Sequence, residues 1–132
     1  MDDTLNSKKG YTYWGKVLEA VQDAKAQNPV VLDLEGHCSW TDYMIIVTAT
    51  SRAHLRGVQQ KVLEMLKEND DLVLRNNRNR KDEDQWILMD LGDLVIQIMT
   101  ADAREYYDLE SVWFEADSLY REEPEDHSSS SS

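Results

Sequence analysis

The chain has 132 residues, enough for one compact domain with a core of its own and too few for two. Its formal charge is −12, from 14 Lys and Arg against 26 Asp and Glu, while 41% of its residues are hydrophobic. That pairing excludes an intrinsically disordered chain, and the negative charge disfavours nucleic acid as the principal partner. A basic protein surface is the partner such a charge favours. The densest apolar runs, 44–47 and 94–96, are strand-sized, so no membrane span is expected. The first residues are acidic and lack an apolar segment, so neither a secretory signal nor a transit peptide is expected. The single cysteine, Cys38, leaves no internal disulfide and fits a reducing compartment. The chain reads as cytoplasmic.

After a flexible N-terminus over 1–10, Trp14, Val17, Leu18 and Val21 recur at helical spacing and predict an amphipathic helix over 11–27. Asn28-Pro29 should stop it, because the residue before a proline avoids the helical region. The β-rich apolar runs 30–34 and 43–49 read as strands. Ser51 is a candidate N-cap for a second helix whose inner face is Leu55, Val58, Val62, Met65 and Leu66. A short strand is expected over 72–74. An exposed loop should follow, holding Arg75, Arg78, Arg80 and Lys81, with Asp82, Glu83 and Asp84 directly behind. The runs 86–91 and 94–100 flank Gly92-Asp93 as a tight β-hairpin. Thr100 is placed to cap a helix over 101–107, with Asp102 against its dipole. The acidic, serine-rich stretch 117–132 is expected to be disordered. These elements predict one α/β domain over 11–116, with a mixed β-sheet flanked by helices.

The search for reactive groups yields little. Gly10-Tyr-Thr-Tyr-Trp-Gly15-Lys16-Val17 falls one residue short of a nucleotide-binding loop, and Val17 cannot supply the hydroxyl that holds magnesium. Trp14 and Val17 read better as core. Asp90 and Asp93 could hold Mg²⁺ for nucleotidyl transfer, the enzymatic alternative, but beside Gly92 they read as turn residues. His37 and Cys38 are adjacent, which is wrong for joint metal ligation, and His54 should be exposed in the first turns of its helix. No catalytic residue, metal site or cofactor is assigned. What stands out is aromatic density: Trp40, Tyr43, Trp86, Tyr106, Tyr107, Trp113 and Phe114 exceed what a small domain buries completely. Strand alternation places Trp86, Leu88 and Asp90 on one face and Ile87, Met89 and Leu91 on the other. The second set reads as core. The first is either a partner anchor with a polar rim or a tryptophan packed beneath a helix. Arg104, Tyr107 and Trp113 carry the same two readings.

Four blocks in order resemble the ribosomal silencing factors, also called Iojap-like or RsfS proteins. They are Val31-Leu-Asp-Leu-Glu-Gly36; Trp40-Thr-Asp-Tyr-Met-Ile-Ile-Val-Thr-Ala-Thr-Ser51; Trp86-Ile-Leu-Met-Asp-Leu-Gly-Asp-Leu-Val-Ile-Gln97; and Arg104-Glu-Tyr-Tyr-Asp-Leu-Glu-Ser-Val-Trp113. The resemblance implies a nucleotidyltransferase-like topology without transferase activity. It also implies binding to the large ribosomal subunit, through its fourteenth protein at the intersubunit face. The small subunit would then be blocked from joining, and translation repressed. A role in large-subunit assembly is the alternative within the same resemblance. Two departures are visible: Gln97 stands where members often carry histidine, and Arg75 to Gln85 replaces a Gly-containing segment. The residues expected to meet the partner are Tyr43, Trp86, Leu88, Asp90, Arg104, Tyr107, Glu110 and Trp113. A homodimer through an exposed strand or the first helix is a further expectation.

Overall fold

Seven consecutive buried residues, Tyr43–Ala49, form strand β2 in the middle of the sheet. A strand buried on both faces must be apolar along its whole length, which is why this segment reads as a continuous hydrophobic run. The computed structural model describes residues 8–39, 41–69, 74–79, 85–113 and 115–121. Around β2 are helix α1 (Tyr11–Asp23), strand β1 (Gln27–Asp33), helix α2 (Arg52–Lys67), and strands β3 (Asn76–Asn79), β4 (Trp86–Asp90) and β5 (Leu94–Thr100). Two short helices, α3 (Ala101–Tyr107) and α4 (Leu109–Val112), and strand β6 (Asp117–Arg121) complete the chain. The sheet order is β3-β4-β5-β2-β1-β6. Only β2 and β5 pair in parallel, from Tyr43 opposite Leu94 to Ala49 opposite Thr100; the other pairs are antiparallel. The mixed sheet with flanking helices is the α/β domain expected from the sequence.

Alternation along the strands divides the core in two. Ile45, Val47, Ile87, Met89, Ile96 and Ile98 face α1 and α2, whose buried stripes are Trp14, Val17, Leu18 and Val21 and then Leu55, Val58 and Val62. On the opposite face lie Val30, Leu32, Met44, Ile46, Val95 and Met99, met by Trp86, Leu34 and Ala103. Two full helices cover the first face, whereas α3, α4 and a loop cover the second.

Helix α1 ends at Asp23, four residues earlier than expected. Lys25 turns left-handed at φ 68, and Gln27 already pairs with Thr48, so the sheet claims these residues before proline can act. Ser51 caps α2 as predicted, its hydroxyl accepting the His54 amide at 3.0 Å. His54 is half-buried rather than exposed. Its Nδ1 accepts the Thr50 amide, so Nε2 carries the proton and donates to the Ala24 carbonyl at 2.7 Å, tying α2 to the end of α1.

Two further expectations change. The strand expected at 72–74 is β3 at Asn76–Asn79, inside the stretch expected to be a loop, where it pairs with β4; residues 72 and 73 lie outside the described residues. The tail expected to be disordered from 117 begins as β6, hydrogen-bonded to β1, while residues 122–132 lie outside the described residues. Of the N-terminal stretch 1–10, residues 1–7 lie outside the described residues, and Lys9 pairs with Asp33 at 3.1 Å and Glu35 at 2.5 Å.

Both glycines of the near-miss nucleotide loop have packing roles. Gly10 is left-handed at φ +74, and a Cβ there would lie 2.3 Å from the ring of buried Tyr43. At Gly15 a Cβ would meet the Tyr11 ring at 2.6 Å. Gly57, inside α2, faces open space. Gly10→Ala should therefore lower stability by about 3 kcal/mol. Gly57→Ala should raise it by about 0.5–1 kcal/mol. Urea unfolding midpoints of the two variants check both signs.

A candidate protein-docking face

The second face of the sheet presents an aromatic series that starts in the interior. Gln97, only 4% exposed, accepts the Trp86 indole N–H on its Oε1 at 2.6 Å. Trp86 is itself 6% exposed, and its ring lies 4.5 Å from that of Tyr107, tilted by 48°. Tyr107 meets Tyr106 edge-on at 4.9 Å. Exposure rises along the series, to 37% at Tyr107 and 81% at Tyr106, and Val112 on α4 is 63% exposed. The neighbouring stretch of sequence also carries exposed acids, Asp102, Glu105, Asp108 and Glu115.

Arg104 holds this platform on the sheet. Its Nη1 donates to the Asn28 carbonyl at 2.8 Å and to the Thr48 hydroxyl at 2.9 Å. Its Nε and Nη2 donate to the two carboxylate oxygens of Glu110, each at 3.2 Å. Glu110 also accepts from Arg121 on β6. One guanidinium thus joins β1, β2, α3 and α4, the planar two-pronged geometry that arginine offers a carboxylate. Asp108, left-handed at φ 46, ends α3 and starts α4, and its carboxylate accepts the Ser111 hydroxyl at 2.6 Å. Thr100 caps α3 through the Ala103 amide.

Of the eight residues expected at the partner surface, Trp86, Leu88, Arg104, Tyr107, Glu110 and Trp113 share the second face, whereas Tyr43 lies on the other and Asp90 in the hairpin turn. Trp86 is core, packed beneath α3, so the anchor reading gives way to the helix-packing one for this residue. Arg104 and Glu110 are structural ties, occupied with one another and with backbone. Tyr43 lies on the opposite face of the sheet, 4% exposed and stacked on Tyr13 at 6.0 Å. It belongs with α1 because strand alternation sets it beside Ile45, away from Met44. Leu88 packs partly against the Trp86 face. Asp90 accepts the Gly92 amide at 2.8 Å, which makes it the turn residue of the hairpin. Trp113 is half-buried and lines a shallow cleft of about 210 Å³ with His37, Val112 and Ala116. Tyr107 alone of the eight is an exposed aromatic on the platform. Trp40 and Phe114 lie outside the described residues. Tyr106 and Val112 are the surface residues that periodicity does not select, because a helix of seven residues has too few turns to declare a face.

Elsewhere Lys9 pairs with Asp33 and Glu35, and Asp42 lies near both of these acids and near Asp93. Burial and the nearby charges of Glu35, Asp93 and Asp33 raise the Asp42 carboxyl above its ordinary value. Burial, then Glu35, likewise raises Tyr43. Among the described residues no three His, Cys, Asp or Glu side chains are grouped to hold a metal ion, and no helix is long and apolar enough to cross a membrane.

Residues 11–132 match the family described as ribosomal silencing factor during starvation. A ribosomal silencing factor of Treponema pallidum is 30% identical over 97 residues, covering 74% of this chain and 86% of that protein. The mouse protein named mitochondrial assembly of ribosomal large subunit protein 1 is 29% identical over 101 residues, 74% of this chain and 43% of that longer protein. A solved structure from Chromobacterium violaceum superposes with a TM-score of 0.70 at 26% identity, covering 84% of this chain and 86% of that one.

Burial opposes ionisation of Glu110, but hydrogen bonds from Arg104 and Arg121 outweigh it and hold the carboxyl below its ordinary value. A proton affinity lower in the folded than in the unfolded state stabilises the fold above the unfolded value, about pH 4.3. That contribution is lost as pH falls through the folded value. Glu110→Gln should cost about 1–2 kcal/mol at neutral pH. It should also flatten the fall in melting temperature below about pH 5. Thermal melts of both proteins across that range check the difference.

Proposed function

The chain belongs to the ribosomal silencing factor family, and we propose that it binds the large ribosomal subunit through the α3–α4 platform and blocks small-subunit joining. The partner this reading names is a basic protein of the large subunit, its fourteenth as the family resemblance implies. The observation that supports it is where the apolar surface lies. Of the four large hydrophobic side chains exposed among the described residues, three are Tyr106, Tyr107 and Val112, and only Tyr13 is elsewhere. Aromatic side chains exposed together, with exposed acids in the neighbouring sequence, suit a protein surface of basic character. The chain charge of −12 speeds such an encounter and makes it sensitive to salt.

Steric occlusion needs no bond chemistry, only a bound body large enough to stand where the small subunit would. The enzymatic alternative built on Asp90 and Asp93 draws no support from a carboxylate already engaged in its own hairpin turn. The assembly reading is favoured by the name of the mouse relative and would use the same surface. Accumulation of large-subunit precursors on depletion, with subunit joining unaffected by added protein, would select it over silencing.

Because Trp86 is core, truncating it should cost about 3–5 kcal/mol and says nothing specific about the partner. Tyr106 is the informative position. Tyr106→Ala should leave stability within about 0.5 kcal/mol of the parent. It should weaken co-sedimentation with isolated large subunits by about tenfold. The parent protein should bind large subunits but not small ones, less at high salt, and reduce light scattering by rejoined ribosomes. Unchanged binding of Tyr106→Ala removes the platform from the contact, and no binding by the parent removes the reading.

A further inference from the structure

Gln97 sits on β5 between Val95 and Met99, its immediate neighbours on that face of the strand being apolar. A buried amide carries a desolvation cost that a methionine of similar length would not, so its presence needs a physical reason. The reason lies diagonally across the β4–β5 ladder, in which Trp86 faces Met99 and Leu88 faces Gln97. Diagonal neighbours on one face are within reach of long side chains, and the indole reaches the amide at 2.6 Å. Indole nitrogen only donates, so the amide oxygen must be turned toward it. That bond fixes the rotation of the Trp86 ring. The ring in turn backs Tyr107, and Tyr107 backs Tyr106, giving continuous contact from the middle of the sheet to the surface.

We propose that Gln97 is the positioning residue of the docking platform: by accepting the Trp86 indole N–H it sets the plane on which Tyr107, and through it Tyr106, is presented to the partner. The proposal rests on reading that platform as the docking surface. A tyrosine held in one orientation loses less freedom on binding than a loose one, so the effect appears in how long the complex lasts. Gln97 touches no partner; it acts through two rings.

Three variants test this. Gln97→Met keeps the length and loses the acceptor, and Gln97→Glu keeps the acceptor. Val62→Ala, in the other core, supplies a loss of stability with no connection to the platform. In the free protein, the indole N–H signal of Trp86 and the ring signals of Tyr106 and Tyr107 are followed by NMR. With isolated large subunits, the dissociation rate is measured. Gln97→Met should move the indole and both tyrosine signals and raise the dissociation rate by about tenfold. Gln97→Glu should leave the rate within about threefold of the parent. Val62→Ala should change neither readout.

The proposal is overturned if Gln97→Met moves the tyrosine rings no more than Val62→Ala does, or if Gln97→Glu behaves like Gln97→Met. Should Gln97→Met not fold, Gln97→Asn, one methylene short of the indole, replaces it with the same expected outcomes. If the parent protein fails to bind large subunits, the docking reading falls, and the ring signals of the free protein alone decide whether Gln97 positions the tyrosines.

Discussion

The parallel pairing of β2 with β5 is the constraint from which the rest of the molecule follows. Parallel neighbours cannot be joined by a tight turn, so the chain must leave the end of β2 and return to the start of β5 by a crossover. Here α2, β3 and β4 make that journey, with α2 lying over one face of the sheet. After β5 the chain leaves for the other face, where Ala103 of α3 joins the core that holds Met44, Ile46 and Met99. One face therefore carries helices of 13 and 16 residues, and the other only helices of 7 and 4. The asymmetry of the covering layers is the origin of the exposed aromatic surface.

Helices that short do not persist by their own hydrogen bonding. Burial holds them only thinly, since Ala103 is the one fully buried residue of α3 and Leu109 of α4 is only partly buried against the second core. Arg104 does what a hydrophobic stripe does elsewhere. Its guanidinium reaches a carbonyl of β1 and a hydroxyl of β2, and its carboxylate partner Glu110 is shared with β6. Such a tie is specific in direction, where apolar contact is not. Breaking one member leaves a partly buried charge uncompensated, which is why Arg104 and Glu110, expected as partner contacts, are better understood as the fastening of the proposed docking surface.

Elements that bury a periodic apolar stripe are legible from residues alone: α1, α2, β2, β5 and the β4–β5 hairpin all announce themselves by spacing, capping or turn chemistry. What sequence does not reveal is structure imposed by neighbours. β3 is Asn-Asn-Arg-Asn, a poor strand former held by its pairing with β4 at the sheet edge. β6 begins in a stretch whose acidity suggests disorder, yet it pairs with β1, and Tyr120 accepts a hydrogen bond from Gln22 on α1. The same limit governs the docking face. Alternation correctly separates Trp86, Leu88 and Asp90 from Ile87, Met89 and Leu91. It cannot say that α3 folds back over Trp86, nor that Tyr43 belongs to the other side. Gln97 was visible as a departure from the family pattern, but its role depends on a contact across the β-ladder.

The central claim is that the partner docks on the thinly covered face. Hydrogen–deuterium exchange of the protein alone and with isolated large subunits tests it most directly. Slowed exchange confined to backbone amides within 101–113, with the outer faces of α1 and α2 unchanged, is the predicted result. Protection over α1 and α2 with none at 101–113 would place the contact on the opposite side of the sheet and contradict the account.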